Sequence, residues 1–373
     1  MRWSLLIFLV LMLAACRPTA SDAIHSAPPD RQVVTTGAEV LASSGFAMLQ
    51  GRRVGLIVNH TAMVGETHLA DLMHEADGVE LIALFGPEHG IRGTADAGAR
   101  VGDGMDPRTG VPIYSLYGET RKPTQAMLEN VDALVFDIQD VGARFYTYIS
   151  TMGLAMQAAA ENDIDFFVLD RPNPLGGNYV SGFVLEPEFE SFVGQFPIPT
   201  THGLTVGELA AMIVGEQLMS GLDGLRLEVL DMRGWERDML WADTGLDWLP
   251  PSPNIPDVET ALVYAGTCLF EAAEASEGRG TYEPFKLIGA PFGSSEAYAE
   301  HLNELALPGV RFLPESFTPV SIPGMSMSPK LQDTPLEGVR IEVVDETTFA
   351  PVETGIHVLY AFFEAAPDEE ALA

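Results

Sequence analysis

A carboxyl group and an imidazole stand side by side in residues 84–93, which read LFGPEHGIRG. Glu88 directly follows a run of apolar residues and has Phe85 and Ile91 close by in sequence. An apolar setting keeps a carboxyl group protonated, which is the form that a general acid needs. The alternative is a carboxylate that caps the next turn or pairs with Arg92. His89 and Arg92 are candidate substrate contacts in either case.

The densest polar cluster is DIQDVGARFYTY, residues 137–148. Asp137 and Gln139 alternate with apolar residues, which places them on one face of a strand end. Asp140 is either a second catalytic carboxyl group or the N-cap of the helix that follows. Arg144 and Tyr146 are candidates to bind a ligand carboxylate, because arginine pairs with carboxylates in a two-point geometry.

Two further clusters also follow apolar runs. Asn59 and His60 come after the first predicted strand. Asp170, Arg171 and Asn173 come after a later one, in the proline-rich sequence DRPNPLGG. We predict that all five contact the substrate.

The second half of the chain adds four candidates. His202 precedes a predicted helix, where a lone histidine is more often structural than catalytic. Glu271, Glu277 and Arg279 lie close together in sequence. Glu277 is a further candidate for the second catalytic group, and the other three are candidate substrate contacts.

Sugar-binding sites typically combine carboxyl groups, arginines, amides and tyrosines. Glycoside hydrolysis needs a protonated carboxyl group for the leaving oxygen and a second group that acts on water or on the anomeric carbon. Arginines suit a sugar that itself carries a carboxylate. The sequence has no Walker A loop, no HExxH and no paired CxxC, so it gives no sign of a nucleotide or zinc site.

The elements that position these side chains alternate between strand and helix. Apolar runs predict parallel strands, and 3.6-residue periodicity predicts helices between them. Together they indicate an α/β sheet that is covered by helices on both faces. The predicted strands are 53–58, 79–85, 133–137 and 166–170, and the predicted helices are 67–76 and 145–161. The candidate residues follow the strand ends, where ligands bind in such sheets. We predict one α/β domain over 39–185 and a smaller α+β domain over 186–373, with strands at 225–230 and 339–344.

The N-terminus predicts export. Residues 1–15 read as a signal peptide, and Leu13-Ala14-Ala15-Cys16 matches the lipobox in which the cysteine is acylated. The apolar run is too short to span a bilayer. We expect residues 16–38 to be a flexible tether, and the chain to be periplasmic and attached to a membrane only through lipidated Cys16. Arg17 after the cysteine weakly favours the outer membrane over the inner one.

Composition excludes one class of partner. The chain has 53 acidic against 20 basic residues and a net charge of −33. Such a field repels phosphate backbones, so we expect no binding of nucleic acid. An anionic ligand would need a local cluster of arginines.

The motifs in their order resemble the exo-β-N-acetylmuramidase family. They are NHT (59–61), FGPEHGIRG (85–93), SLYG (115–118), DIQDVGARFYTYIST (137–151), LDRPNPLGG (169–177), HGLTVGELA (202–210), PSPNIP (251–256) and CLFEAAEASEGRGTYEPF (268–285). The resemblance implies a Rossmann-like α/β domain followed by a smaller α+β domain, with the active site in the cleft between them and no cofactor or metal.

The same resemblance implies release of non-reducing terminal N-acetylmuramic acid from peptidoglycan fragments during cell-wall recycling. Glu88 in the PEHG motif is then the acid, and Asp137, Asp140, Glu271 and Glu277 remain candidates for the second group. The chain departs from the expected motif at Gly86, where we expect serine. The resemblance also leads us to expect a further C-terminal segment, which this sequence does not include. Either the rim of the cleft is shorter here or the sequence is truncated.

Two other functions remain open on the sequence. Two α/β lobes behind a lipobox also describe a non-catalytic muropeptide-binding lipoprotein. A metal-dependent hydrolase is the other alternative, with His60, His89, His202 and Asp137 as ligands.

Overall fold

The computed structural model describes residues 33–92 and 102–367. Cys16, the predicted signal peptide and the tether up to residue 32 lie outside the described residues, as does Gly93. In the described part, no helix is both long and apolar enough to cross a membrane.

Twelve strands and eight α-helices are named below in chain order. The strands are β1 (Arg53–Val58), β2 (Met63–Val64), β3 (Thr67–His68), β4 (Glu80–Gly86), β5 (Gly104–Met105), β6 (Pro112–Ser115), β7 (Ala133–Asp137), β8 (Asp165–Leu169), β9 (Leu227–Leu230), β10 (Leu287–Ala290), β11 (Val310–Phe317) and β12 (Leu336–Val343). The helices are α1 (Gly37–Ser43), α2 (Leu69–Glu75), α3 (Tyr148–Glu161), α4 (Val206–Gly215), α5 (Trp241–Thr244), α6 (Val258–Thr267), α7 (Ser295–Glu304) and α8 (Pro351–Ala365).

Seven strands form the large sheet, in the order β5-β6-β4-β1-β7-β8-β9. All neighbours are parallel except β5 and β6. The chain runs from β1 out to β6 on one side and returns to β7 on the other, so the strand order reverses between β1 and β7. This is the Rossmann-like arrangement, and the predicted fold class is confirmed.

Both faces of this sheet are buried, which explains the continuous apolar strands. Val54 and Leu56 of β1 pack in a core cluster on one face, together with residues of α1 and α2. Ile57 and Phe136 pack on the other face with α3 and α4. Thr205 caps the start of helix α4, since its hydroxyl accepts a hydrogen bond from the backbone N–H of Glu208.

The C-terminal part contains an antiparallel sheet, β10-β12-β11, with α6, α7 and α8 packed around it. Its apolar core also takes in Val141, Ala143 and Leu175 from the loops that follow β7 and β8. The two parts therefore share buried contacts beside the strand ends of the large sheet.

One predicted placement is wrong. We placed residues 225–230 in the second domain, but β9 pairs in parallel with β8 at the edge of the large sheet. The first sheet thus extends past residue 185, where we had placed the boundary. Its strand-like pattern was visible in the sequence, but pairing between β8 and β9 is a contact that periodicity alone does not specify.

Gly266 in α6 meets Gly355 in α8 where the two backbones touch. A Cβ atom at Gly266 would lie 1.9 Å from the carbonyl oxygen of Pro351. Alanine normally stabilises a helix relative to glycine by about 1 kcal/mol. Here we expect Gly266→Ala to lower the free energy of unfolding by about 2 kcal/mol or more, because the backbones must separate. Urea denaturation checks this, with Gly215→Ala at the open end of α4 as the control; equal stability of both variants would contradict it.

Candidate active site

A cavity of about 330 Å³ lies beyond the strand ends, between the large sheet and the C-terminal part. Both parts of the chain contribute to its wall. The lining residues are Glu88, His89, Tyr117, Phe145, Tyr146, Thr147, Tyr148, Val193, Ser252, Asn254, Ile255, Tyr264, Glu271, Arg279 and Phe285.

Glu88 follows β4 in a tight turn. His89, which comes next, has a positive φ of 71°, and Gly90 has one of 72°. A left-handed conformation at a histidine is uncommon and is found most often at functional sites. The turn places Glu88 and His89 together on the cavity wall.

Three tyrosines lie near Glu88. Burial, together with the charge of Glu88 and a hydrogen bond to it, raises the pKa of Tyr117 to about 12. Burial likewise raises the pKa of Tyr146 and of Tyr148. These phenols therefore stay neutral at physiological pH and are able to donate hydrogen bonds to a carboxylate or a sugar.

The tyrosine rings hold one another in place. The Tyr146 ring stands edge-on to Tyr148 at 4.9 Å and to Tyr264 at 5.8 Å between centroids. The Tyr148 hydroxyl donates to the carbonyl oxygen of Pro251 at 2.8 Å. A rigid aromatic wall of this kind fixes where a sugar ring fits.

A group of four charges includes two lining residues, Glu271 and Arg279. Arg279 binds Glu271, and its Nε lies 3.4 Å from Glu277 Oε1. Lys330 Nζ lies 2.9 Å from the other oxygen of Glu277. The Arg279 guanidinium also lies 5.1 Å from the centre of the Phe285 ring, within the range of a cation–π contact. Two positive and two negative charges thus balance one another.

Glu271 and Glu277 differ in access to the cavity. Glu271 lines it, whereas Glu277 is only 2 % exposed and is enclosed by its two cations. Glu277 is not among the lining residues, so its geometry suits holding Arg279 and Lys330 in place rather than touching a ligand.

Asp140, the other predicted catalytic carboxyl group, is also away from the cavity wall. Its Oδ2 accepts a hydrogen bond from the backbone N–H of Gly142 at 2.7 Å, and burial raises its pKa to about 7. His202 Nε2 lies 3.9 Å from the same oxygen, and burial lowers the pKa of His202 to about 4. The two side chains lie close together in the interior without a hydrogen bond between them, and the bond from Gly142 holds the loop after β7.

Several predicted substrate contacts prove to be bound within the protein. Arg171 forms a two-point ion pair with Asp137 in the interior. Asp170 accepts hydrogen bonds from the Thr205 hydroxyl at 2.9 Å and from the Gly207 backbone at 2.8 Å, which ties β8 to the start of α4. Burial raises the pKa of Asp170 to about 6.

Arg144, Asn173 and Arg92, three more predicted substrate contacts, instead hold loops of the protein in place. Arg144 donates to the carbonyl oxygens of Phe183 and Ile198, each at 2.6 Å. Asn173 donates to the carbonyl oxygen of Leu204 at 3.0 Å.

Arg92 likewise supports a loop, since it binds the carboxylates of Asp71 and Asp106. None of Arg92, Arg144 and Asn173 lines the 330 Å³ cavity.

The residues after β1 lie just behind the cavity. His60 Nε2 is 2.6 Å from the carbonyl oxygen of Pro250, and burial lowers the pKa of His60. Asn59 Oδ1 accepts hydrogen bonds from the backbone and the hydroxyl of Thr61. Gln139 donates to the carbonyl oxygens of Asp140 and Pro172. These contacts fix the loops that carry the cavity wall.

Comparison with known proteins identifies the family of this chain. Residues 54–259 match the family model of the N-terminal part of the exo-β-N-acetylmuramidase NamZ, and residues 262–372 match its C-terminal part. The chain belongs to the exo-β-N-acetylmuramidase NamZ family.

Relatives of this family include a curated protein of Bacillus subtilis (strain 168), peptidoglycan β-N-acetylmuramidase NamZ. It is 46% identical over 368 residues, which cover 98% of this chain and 85% of the relative. Two crystal structures of DUF1343 family proteins from Bacteroides fragilis NCTC 9343 share the fold. One has a TM-score of 0.83 at 43% identity and covers 91% of this chain and 85% of its own. The other has a TM-score of 0.73 at 33% identity, covering 91% and 86%.

Within residues 33–92 and 102–367, no group of three or more His, Cys, Asp or Glu side chains is arranged to hold a metal ion. His60, His89, His202 and Asp137, the ligands of the metal-dependent alternative, therefore do not form a cluster there. Asp137 instead binds Arg171.

Several residues that line the 330 Å³ cavity were not identified from the sequence. Asn254 comes from the PSPNIP motif, and its buried Oδ1 has no hydrogen-bond partner among the described residues. Tyr264 is the middle of α6 and reads as an ordinary core residue, while Phe285 closes the last motif. The proline-rich motif was the one signal that could have pointed to Asn254, since it fits no regular element.

Proposed function

We propose that this chain is an exo-β-N-acetylmuramidase, which hydrolyses the bond that joins a terminal N-acetylmuramic acid to the rest of a peptidoglycan fragment. The observation that carries the proposal is that two carboxyl groups, Glu88 and Glu271, line one cavity together with Arg279. Family membership supports the same reaction.

Glu88 is the general acid. It donates its proton to the glycosidic oxygen as the bond to the anomeric carbon breaks. Water supplies the hydroxyl group that the anomeric carbon gains, and the remaining proton of that water passes to a carboxylate of the site, which restores the protonated acid for the next turnover. The Tyr117 hydroxyl is bonded to Glu88, and it stabilises the carboxylate that remains after proton transfer. Tyrosines 146 and 148 restrict the sugar ring in front of it.

Glu271 is the second carboxyl group. Of the candidates Asp137, Asp140, Glu271 and Glu277, it is the one that lines the cavity. Its contact with Arg279 holds the carboxyl group at the cavity wall, a position that suits activation of water or stabilisation of positive charge at the anomeric carbon. Asp140 and Glu277 then act through loop structure and through Arg279, not on the substrate.

Arg279 binds the lactyl carboxylate of muramic acid. Among the arginines that we considered for this role, Arg144 is used by two carbonyl oxygens and Arg171 by Asp137. Only Arg279 of these three lines the cavity. The Arg279 guanidinium already contacts Glu271 and Glu277. The lactyl carboxylate therefore replaces part of these contacts when it binds.

Turnover of two chromogenic glycosides tests the function. We expect the purified chain to cleave a β-N-acetylmuramide and to cleave the β-N-acetylglucosaminide, which lacks the lactyl group, much more slowly. Arg279→Lys keeps the charge but loses the planar two-point donor, so we expect kcat/KM for the muramide to fall about tenfold to a hundredfold, with little change for the glucosaminide. Arg311→Lys, at an exposed ion pair with Glu342, is the control. Binding of the muramide without any product would disprove the proposed reaction.

We also propose that the enzyme works in cell-wall recycling from the periplasmic face of a membrane, most simply the outer one, through lipidated Cys16. Support comes from the lipobox and from the location of the substrate polymer. We expect Cys16→Ala to move the protein from the membrane to the soluble fraction and to leave its specific activity unchanged. Fractionation and labelling with a palmitate analogue check this, and Cys268→Ala is the control; membrane retention of unlabelled Cys16→Ala would contradict it.

A further inference from the structure

A second cavity, of about 290 Å³, opens at the strand ends of the large sheet. Thr61 after β1, Gln139 after β7 and Arg171 after β8 line it. The strand order reverses between β1 and β7, and the crevice at such a reversal is where open α/β sheets most often bind ligands. The proposed reaction leaves this cavity without a role.

One chain segment lies between the two cavities. Within residues 246–255, here called the partition, Leu246 and Leu249 line the second cavity, whereas Ser252 and Asn254 line the first. The partition is fixed to the sheet, because the carbonyl oxygens of Pro250 and Pro251 accept hydrogen bonds from His60 and Tyr148. The two cavities are therefore separate sites.

The second cavity has one donor and one acceptor ready for a ligand. Arg171 is 7% exposed and uses Nε and Nη2 on Asp137, which leaves Nη1 without a hydrogen-bond partner among the described residues. Gln139 is 3% exposed and uses Nε2 on two carbonyl oxygens, so Oε1 remains available. The two carbonyl acceptors fix this orientation of the Gln139 amide.

The charges around this cavity disfavour an anion. Asp137 neutralises Arg171, and Glu39 and Asp247 add two carboxylates to the wall. A ligand that carries a carboxylate, such as muramic acid, would meet net negative charge here, whereas the first cavity presents Arg279 on its wall.

Apolar side chains also contribute to the wall of the second cavity. Trp241 and Leu249 line it, and the buried Nε1 of Trp241 has no hydrogen-bond partner among the described residues. An indole beside polar groups is a common surface for the apolar face of a sugar. A neutral sugar with an acetamido group matches all of these features, since its carbonyl oxygen accepts from Arg171 and its N–H donates to Gln139.

We propose that the second cavity binds a neutral N-acetylhexosamine unit, such as N-acetylglucosamine, and so holds a glycan strand next to the enzyme. Binding here adds local substrate concentration on a polymer and contributes nothing to the cleavage of a small glycoside.

Binding of triacetylchitotriose, a neutral oligomer of N-acetylglucosamine, tests this. The protein is the full chain carrying Glu88→Gln, so that turnover does not interfere, and the measurement is titration calorimetry. We expect one site with a Kd of about 1 mM or tighter, and we expect saturating N-acetylmuramic acid not to displace the oligomer. Absence of binding, or full displacement by N-acetylmuramic acid, would overturn the proposal.

Two variants locate the site. Arg171→Lys keeps a charge for Asp137 and loses the free donor, while Leu249→Asp removes apolar surface at a position that is already 40% exposed. We expect each to weaken chitotriose binding at least about fivefold. Leu305→Asp is the matched control at 39% exposure. In the chain that keeps Glu88, Leu249→Asp should also retain turnover of a chromogenic muramide. Unchanged chitotriose affinity in Leu249→Asp would overturn the proposal even if Arg171→Lys failed to fold.

Discussion

Replacement of Glu88 by glutamine is expected to lower kcat for a muramic acid glycoside by about 10²–10⁴-fold. Glutamine has the size of glutamate and accepts a hydrogen bond from Tyr117, but it has no proton to give to the leaving oxygen. KM should change little, because Arg279 and the tyrosines, the proposed sugar contacts, are unchanged. Steady-state kinetics on the purified variant measures both constants.

The control for this experiment is Glu80→Gln, which changes an exposed carboxyl group at the start of the same strand. It should keep full activity. A second arm uses a glycoside with a good leaving group, such as a dinitrophenyl muramide, which needs less protonation. We expect the loss in Glu88→Gln to be much smaller for it than for a natural disaccharide. Equal losses on both substrates would remove Glu88 from the role of general acid.

Replacement of Arg171 by methionine is expected to cost about 3–5 kcal/mol of folding free energy. The Asp137 side chain is fully buried, and Arg171 supplies both of its ion-pair contacts. Methionine fills the same space but leaves an uncompensated carboxylate in the interior. Urea or thermal denaturation, followed by circular dichroism, measures the loss.

The double variant Asp137→Asn with Arg171→Met distinguishes a charge effect from a packing effect. We expect it to recover part of the stability, because no charge is then left unpaired. Arg311→Met, at an exposed pair with Glu342, should leave stability nearly unchanged. An Arg171→Met protein as stable as the parent would show that the buried pair is not a structural element.

The sequence predicted the strands of the large sheet well, because strands buried on both faces read as continuous apolar runs. It also predicted that polar residues would collect at the strand ends. It did not predict the partner of β9, since the pairing of strands distant in sequence depends on tertiary contacts. The start of α3 is at Tyr148, three residues later than predicted, since the polar loop before it continues the helical pattern.

The candidate residues were harder to sort. Asp137, Asp140, Glu271 and Glu277 have the same chemistry in the sequence, and so do Arg144, Arg171 and Arg279. Their roles separate only through their partners. Asp137 and Arg171 satisfy each other, Glu277 lies between two cations, and Arg144 binds carbonyl oxygens. A buried charge needs a partner, and the partner comes from another part of the chain.

By itself, then, the sequence determined the family, the α/β architecture and the position of Glu88 at a strand end, because motifs, apolar periodicity and chain order are local properties. Only the tertiary structure decided that Glu271 and Arg279 line one cavity together with Glu88, and that Gln139 and Arg171 line another. Those arrangements depend on how the 246–255 partition and the C-terminal part pack over the sheet. Such packing brings together residues more than a hundred positions apart, which no local pattern records.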